Sequence, residues 1–224
     1  MKNITTLYSE DGHKLDAYFT TSDNNNQSAL VVLQEIFGVN EHIKSVCDRI
    51  ASDGFTCISP ALFDRKEAKV ALNYHAKDIE KGRELRAEVG WDLAMLDINA
   101  SIDFLRNKGF EKIGVIGYCW GGSLAFLAAS RCNINASVGY YGGQIMEFIE
   151  ELPKCPLMLH FGAEDASIPI TNVQSISNKH PNILTYIYKN AGHGFNCDQR
   201  ADFNQIASRQ AYTRTLDHFH NHIL

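Results

Sequence analysis

Residues 112–130 read Lys112-Ile113-Gly114-Val115-Ile116-Gly117-Tyr118-Cys119-Trp120-Gly121-Gly122-Ser123-Leu124-Ala125-Phe126-Leu127-Ala128-Ala129-Ser130. The opening run to Ile116 is short, apolar and β-branched, which predicts a buried strand, and the run from Ser123 predicts a helix. Cys119 then falls at the turn between them. Gly117 and Gly121, two positions to either side, let the backbone turn tightly enough to hold the Cys119 side chain above the strand end. The pattern is G-x-S-x-G with sulfur in place of oxygen. A helix N-terminus beside that sulfur favours a thiolate and supplies N–H groups for an oxyanion.

Similar alternation extends in both directions. Residues 3–8 and 14–20 flank the turn Glu10-Asp11-Gly12 and predict an antiparallel hairpin. Asp23 to Ser28 is a polar, Asn-rich loop. Strands are predicted at 29–33, 55–59, 136–141, 156–161 and 183–188, and helices at 41–53, 91–106, 170–179 and 203–221, with Asn40 as an N-cap. Residues 67–87 read as loop and helix. Strands alternating with helices after a hairpin specify an α/β fold, a mostly parallel sheet covered on both faces. Functional groups are expected in the loops at the carboxyl ends of its strands.

The 224 residues, 45% hydrophobic, suit a single domain over 1–224. A net charge of -5 without a basic run argues against nucleic acid or an anionic membrane as partner, so a small molecule is expected. Without a secretory or membrane-spanning segment, a cytoplasmic location is expected. The six cysteines (47, 57, 119, 132, 155 and 197) are dispersed, with neither C-x-x-C nor metal-ligand spacing, and read mostly as buried thiols. No metal or cofactor is expected, and with no heptad legible a monomer is expected. His218, His220 and His222 read as a solvated helix face.

Two more loops bear chemistry. Gly162-Ala163-Glu164-Asp165 follows the strand ending at Phe161, and Ala191-Gly192-His193-Gly194-Phe195 follows the strand ending near Lys189. Nucleophile, acid and base therefore occur in the order Cys119, Asp165, His193, each after a strand, which is the order of an α/β hydrolase. Cys119 would attack a carbonyl carbon to give a thioester, His193 would move the proton, and Asp165 would fix the imidazole tautomer. Glu164 competes with Asp165 for the last role. His160 reads as a hydrogen-bonded sheet residue. Phe37, Tyr118, Trp120, Tyr140, Tyr141 and Phe195 are candidates for an apolar pocket wall, some of them as core.

The cysteine elbow, Gln34-Glu35-Ile36-Phe37-Gly38, the Asp165 loop and Ala191-Gly192-His193-Gly194-Phe195 together resemble the dienelactone hydrolase family, the carboxymethylenebutenolidases. The resemblance covers essentially the whole chain. It implies an α/β-hydrolase fold and cofactor-free hydrolysis of a small lactone or ester. It also implies that Glu35 contacts the resting thiol and is released by substrate to take the thiol proton. The matching oxyanion-hole donors are the N–H groups of Ile36 and Trp120. The family's arginine four residues after the histidine is replaced here by Cys197, which leaves Arg83, Arg86 and Arg200 as candidate cations for a substrate carboxylate. Two alternatives stay open: a general esterase or thioesterase using the same triad, and a thiol redox or ligand-binding protein without turnover.

Overall fold

The computed structural model describes residues 2–24 and 27–224; Asn25 and Asn26, the centre of the expected Asn-rich loop, and Met1 lie outside the described residues. Eight strands form one sheet: β1 (Lys2–Tyr8), β2 (Lys14–Thr20), β3 (Ser28–Leu33), β4 (Thr56–Pro60), β5 (Lys112–Tyr118), β6 (Ala136–Tyr140), β7 (Leu157–Gly162) and β8 (Leu184–Tyr188). Their spatial order is β1-β2-β4-β3-β5-β6-β7-β8. β1 and β2 form the predicted hairpin, β2 meets β4 antiparallel, and every later pairing is parallel.

The inner strands β3, β6 and β7 are buried along their whole length, as a parallel sheet covered on both faces requires. Among the described residues five α-helices provide that cover: α1 (Glu41–Ser52), α2 (Ala76–Asn107), α3 (Trp120–Arg131), α4 (Ile170–Lys179) and α5 (Gln205–Ile223). Two residues of β6 show the two layers. Ser137 donates to the Ala125 carbonyl of α3, whereas the Tyr140 hydroxyl, three positions along, meets Thr215 Oγ1 of α5. An odd spacing on a strand puts side chains on opposite faces, so α3 and α5 cover opposite sides. α1 lies beside α5, joined by Tyr212 to Asp53 and by Arg49 over the Tyr212 ring.

Asn40 caps α1 as its sequence predicts, its Oδ1 accepting from Ile43 N–H at 3.2 Å. The helix expected at 91–106 instead begins at Ala76 and breaks at Gly90, where φ is 69°. That left-handed conformation is why glycine marks the break. His218 corrects the solvated-face expectation: it is buried, with its ring 4.7 Å from that of His222 on the same helix face, while His220 and His222 are exposed. Among the described residues no helix is long and apolar enough to cross a membrane.

Candidate active site

The turn after β5 leaves no room for side chains on its flanks. A Cβ on Gly117 would stand 1.9 Å from the Gly121 carbonyl oxygen, and one on Gly121 would stand 2.5 Å from the Leu33 oxygen. Between them Cys119 adopts φ 54° and ψ -114°. A non-glycine residue held there costs about 1–3 kcal/mol, tolerated where the surroundings fix it. The fixing bonds are Cys119 N–H to Tyr140 O (3.0 Å) and Gly121 N–H to Gln34 O (3.1 Å). The sulfur is thereby lifted to the N-terminus of α3.

The loops after β7 and β8 bring the other two groups to it. Gly162 passes so close to the β8 loop that a Cβ would lie 2.2 Å from Ala191 O, and Glu164 N–H donates to that same oxygen at 2.9 Å. This clamp sets Asp165 beside His193. His193 Nδ1–H donates to Asp165 Oδ2 at 2.8 Å, and Nε2 lies 3.1 Å from Cys119 Sγ. Asp165 Oδ1 accepts from the N–H groups of Ser167 (2.8 Å) and Ile168 (3.1 Å), so the carboxylate is immobilised from both sides. Glu164, the competing acid, is exposed and lines the cleft instead.

Burial works against a charge on His193, but Cys119 and Asp165 outweigh it and raise its pKa to about 10. The sulfur and the carboxylate on either side therefore favour the protonated form of the ring. His160 behaves oppositely. Burial depresses it to about 3, and its ring is held by Tyr188 OH (2.9 Å) and Thr215 Oγ1 (3.1 Å), the sheet role expected.

Cys119 and His193 open onto a cleft of about 330 Å³, whose lining includes Ile36, Phe37, Arg83, Arg86 and Arg200. A larger cleft of about 550 Å³ lies at the opposite ends of β7 and β8 and contains none of Cys119, Asp165 and His193. The segment carrying Ile36 is braced by Gln34, whose amide donates to Glu35 O and accepts from Leu62 N–H. As the first residue of α3, Trp120 has an N–H with no intrahelical acceptor. Five of the six aromatic candidates require correction, since Phe37 lines the cleft but Trp120 and Tyr140 are core residues outside it. Tyr118, Tyr141 and Phe195 are all fully buried and absent from the cleft wall. Tyr118 packs behind the elbow against Tyr140 and His42, whereas Tyr141 lies 5.2 Å from the His193 ring and backs it, with Phe195 behind.

Glu35 also departs from the expectation. The thiol lies beside His193, while both Glu35 carboxylate oxygens are buried without a hydrogen bond. Arg200 Nη1 stands 3.6 Å from Glu35 Oε1. Burial disfavours the Arg200 charge, yet Glu35 and nearby acidic groups raise its pKa. Cys197, at the position of the missing arginine, is turned into the core and donates to Tyr74 OH at 3.2 Å. His42 and Tyr74 beside Glu35 have no sequence signal, being brought there from α1 and the segment before α2.

A parallel sheet with a strained Cys elbow and a histidine-carboxylate pair at its strand ends defines an α/β hydrolase. The comparisons narrow this. The dienelactone hydrolase family model matches residues 15–223, and the chain belongs to that family. A putative carboxymethylenebutenolidase of Synechocystis is 33% identical over 85% of this chain and 84% of its own. The Pseudomonas putida carboxymethylenebutenolidase is 28% identical, covering 95% and 93%. A crystal structure of a putative dienelactone hydrolase from Klebsiella pneumoniae superposes with TM-score 0.85 at 26% identity, over 98% of both chains. The protein is thus a hydrolase of the carboxylic ester class.

Proposed function

We propose that the protein hydrolyses a small, carboxylate-bearing lactone or ester through Cys119, His193 and Asp165, by way of a thioester. The observation that carries this is the continuous contact from Asp165 to His193 (2.8 Å) to Cys119 (3.1 Å) at the mouth of the cleft. Cys119 Sγ attacks the carbonyl carbon, and the resulting oxyanion is received by the N–H groups of Trp120 and Ile36. Collapse breaks the ester C–O bond, and the leaving oxygen takes a proton from His193 Nε2. Water then gives a proton to the same nitrogen as it attacks the thioester, which returns Cys119 and frees the acid.

Arg83, Arg86 and Arg200 in the cleft wall supply the cation for the substrate carboxylate. In this reading Arg200 has a second task. Facing Glu35 at 3.6 Å, it holds that carboxylate in place until a substrate carboxylate competes for the guanidinium. Glu35 is then free to take the thiol proton, as the family resemblance implies, and to pass it to His193 Nε2, the nitrogen that delivers it to the leaving oxygen. The test compares a carboxylate-bearing dienelactone with a neutral ester of similar size, in wild type and Cys119→Ala. Preference for the dienelactone, lost in the variant, is expected; Cys119-dependent turnover of the neutral ester alone would refute the carboxylate requirement.

A further inference from the structure

Behind Arg200 the structure gathers a cluster that hydrolysis leaves unexplained. A Glu35 carboxylate oxygen, a His42 ring nitrogen and Cys197 Sγ all lie within 4.8 Å of one another, and all three residues are buried. Buried polar groups are normally hydrogen-bonded, and leaving one unpaired is costly. Here Glu35 Oε1, Glu35 Oε2 and His42 Nε2 are all buried without a hydrogen bond. Glu35 Oε1 faces Arg200, but Glu35 Oε2 and His42 Nε2 have no partner, and two such acceptors converging beside a thiol make a donor set.

We infer that Glu35, His42 and Cys197 form a binding site for a zinc-like divalent metal ion directly behind the catalytic cleft. Carboxylate oxygen, imidazole nitrogen and thiolate sulfur are the donors such an ion takes, three from protein with a fourth position open. Tetrahedral bonds of about 2.0–2.3 Å place donors roughly 3.3–3.8 Å apart. The cluster needs to contract by only about 1 Å, within reach of side-chain rotation.

The surroundings fit the same ion. Asp198 Oδ1 stands 3.7 Å from His42 Nδ1, the carboxylate that orients a metal-binding imidazole from behind and leaves Nε2 to the metal. Cys197 binds as the thiolate, so entry of the metal ionises it. The step is Cys–SH plus M²⁺ giving Cys–S–M⁺ plus a proton released to water. Arg200, 16% exposed and lining the cleft, is the residue whose swing opens the path from solvent.

Metal binding rests on this cluster alone. Its consequence, loss of turnover as the ion takes Glu35 from Arg200, rests on the function proposed above. The test therefore uses Cys119→Ala protein, which removes the catalytic thiol, titrated with Co²⁺ and then Zn²⁺. One equivalent of Co²⁺ with a thiolate-to-cobalt charge-transfer band is expected, abolished by Zn²⁺ and absent in Cys119→Ala/Cys197→Ser. Asp198→Asn alters a side chain that is 60% exposed and need not disturb folding. It is expected to weaken binding by about 10- to 100-fold. Absence of the band in Cys119→Ala, its survival without Cys197, or unchanged affinity in Asp198→Asn would each overturn the site. Full wild-type turnover at saturating Zn²⁺ would overturn the roles given to Glu35 and Arg200 and leave the metal site standing.

Discussion

Replacing Asp165 by Asn tests the triad at the point where the structure constrains it most. Asp165 Oδ1 is committed to the N–H groups of Ser167 and Ile168, and Oδ2 to His193 Nδ1. An amide has one oxygen and one NH₂ group. If its oxygen stays on the two backbone donors, the NH₂ faces Nδ1, which must become an acceptor and moves the ring proton to Nε2. His193 would then point N–H at Cys119 and could not accept the thiol proton. If the amide flips, its NH₂ meets the N–H groups of Ser167 and Ile168, donor against donor, and the turn that holds residue 165 loses its acceptor. Either way the base is disabled. General-base catalysis contributes about 10²- to 10⁴-fold, or roughly 3–5 kcal/mol in the barrier. The assay is steady-state hydrolysis of a chromogenic ester at pH 7, with thermal unfolding run in parallel. A fall in kcat of at least about 100-fold in a folded protein is expected, and a loss under tenfold would refute the reasoning.

Three further outcomes follow from the same geometry. Gly117→Ala places a Cβ 1.9 Å from the Gly121 oxygen, so more than about 4 kcal/mol of destabilisation is expected, read as loss of soluble protein; a wild-type melting temperature would contradict it. Tyr118→Phe removes a fully buried hydroxyl that has no hydrogen bond, so stability is expected to hold or rise by about 1 kcal/mol with kcat unchanged. A large kcat loss there would return Tyr118 to the substrate site. His160, depressed from 6.5 to about 3, stays neutral in the fold and protonates on unfolding. Its contribution is therefore full above pH 6.5 and lost as pH falls toward 3, at up to about 1.4 kcal/mol per pH unit. Denaturant unfolding of wild type and His160→Gln should show the wild type losing stability faster below pH 6.5, and parallel curves would refute it.

What the sequence conveyed was largely local. The run Ile113 to Ile116 had to be a buried strand because it is apolar and β-branched, and the glycines around Cys119 are legible because nothing else fits the turn. Once each loop is assigned to a strand end, the fold brings Cys119, Asp165 and His193 together. Contacts made across the fold were less accessible. Tyr118 and Phe195 look like pocket residues by type and position, but strand and loop geometry points them into the core. Cys197 is turned into the core while Arg200, three residues on, lines the cleft and faces Glu35, a placement that linear spacing does not reveal. His42 approaches Glu35 from α1, and no pattern in the chain links positions 35, 42 and 197.

The central claim is that Cys119 becomes acylated. The direct measurement is rapid acid quenching of the enzyme during turnover of an activated ester, followed by peptide mass spectrometry. The account predicts the acyl mass on the peptide containing Cys119, removable by hydroxylamine, and neither adduct nor turnover in Cys119→Ala. Hydrolysis by Cys119→Ala at a rate near that of wild type would contradict it.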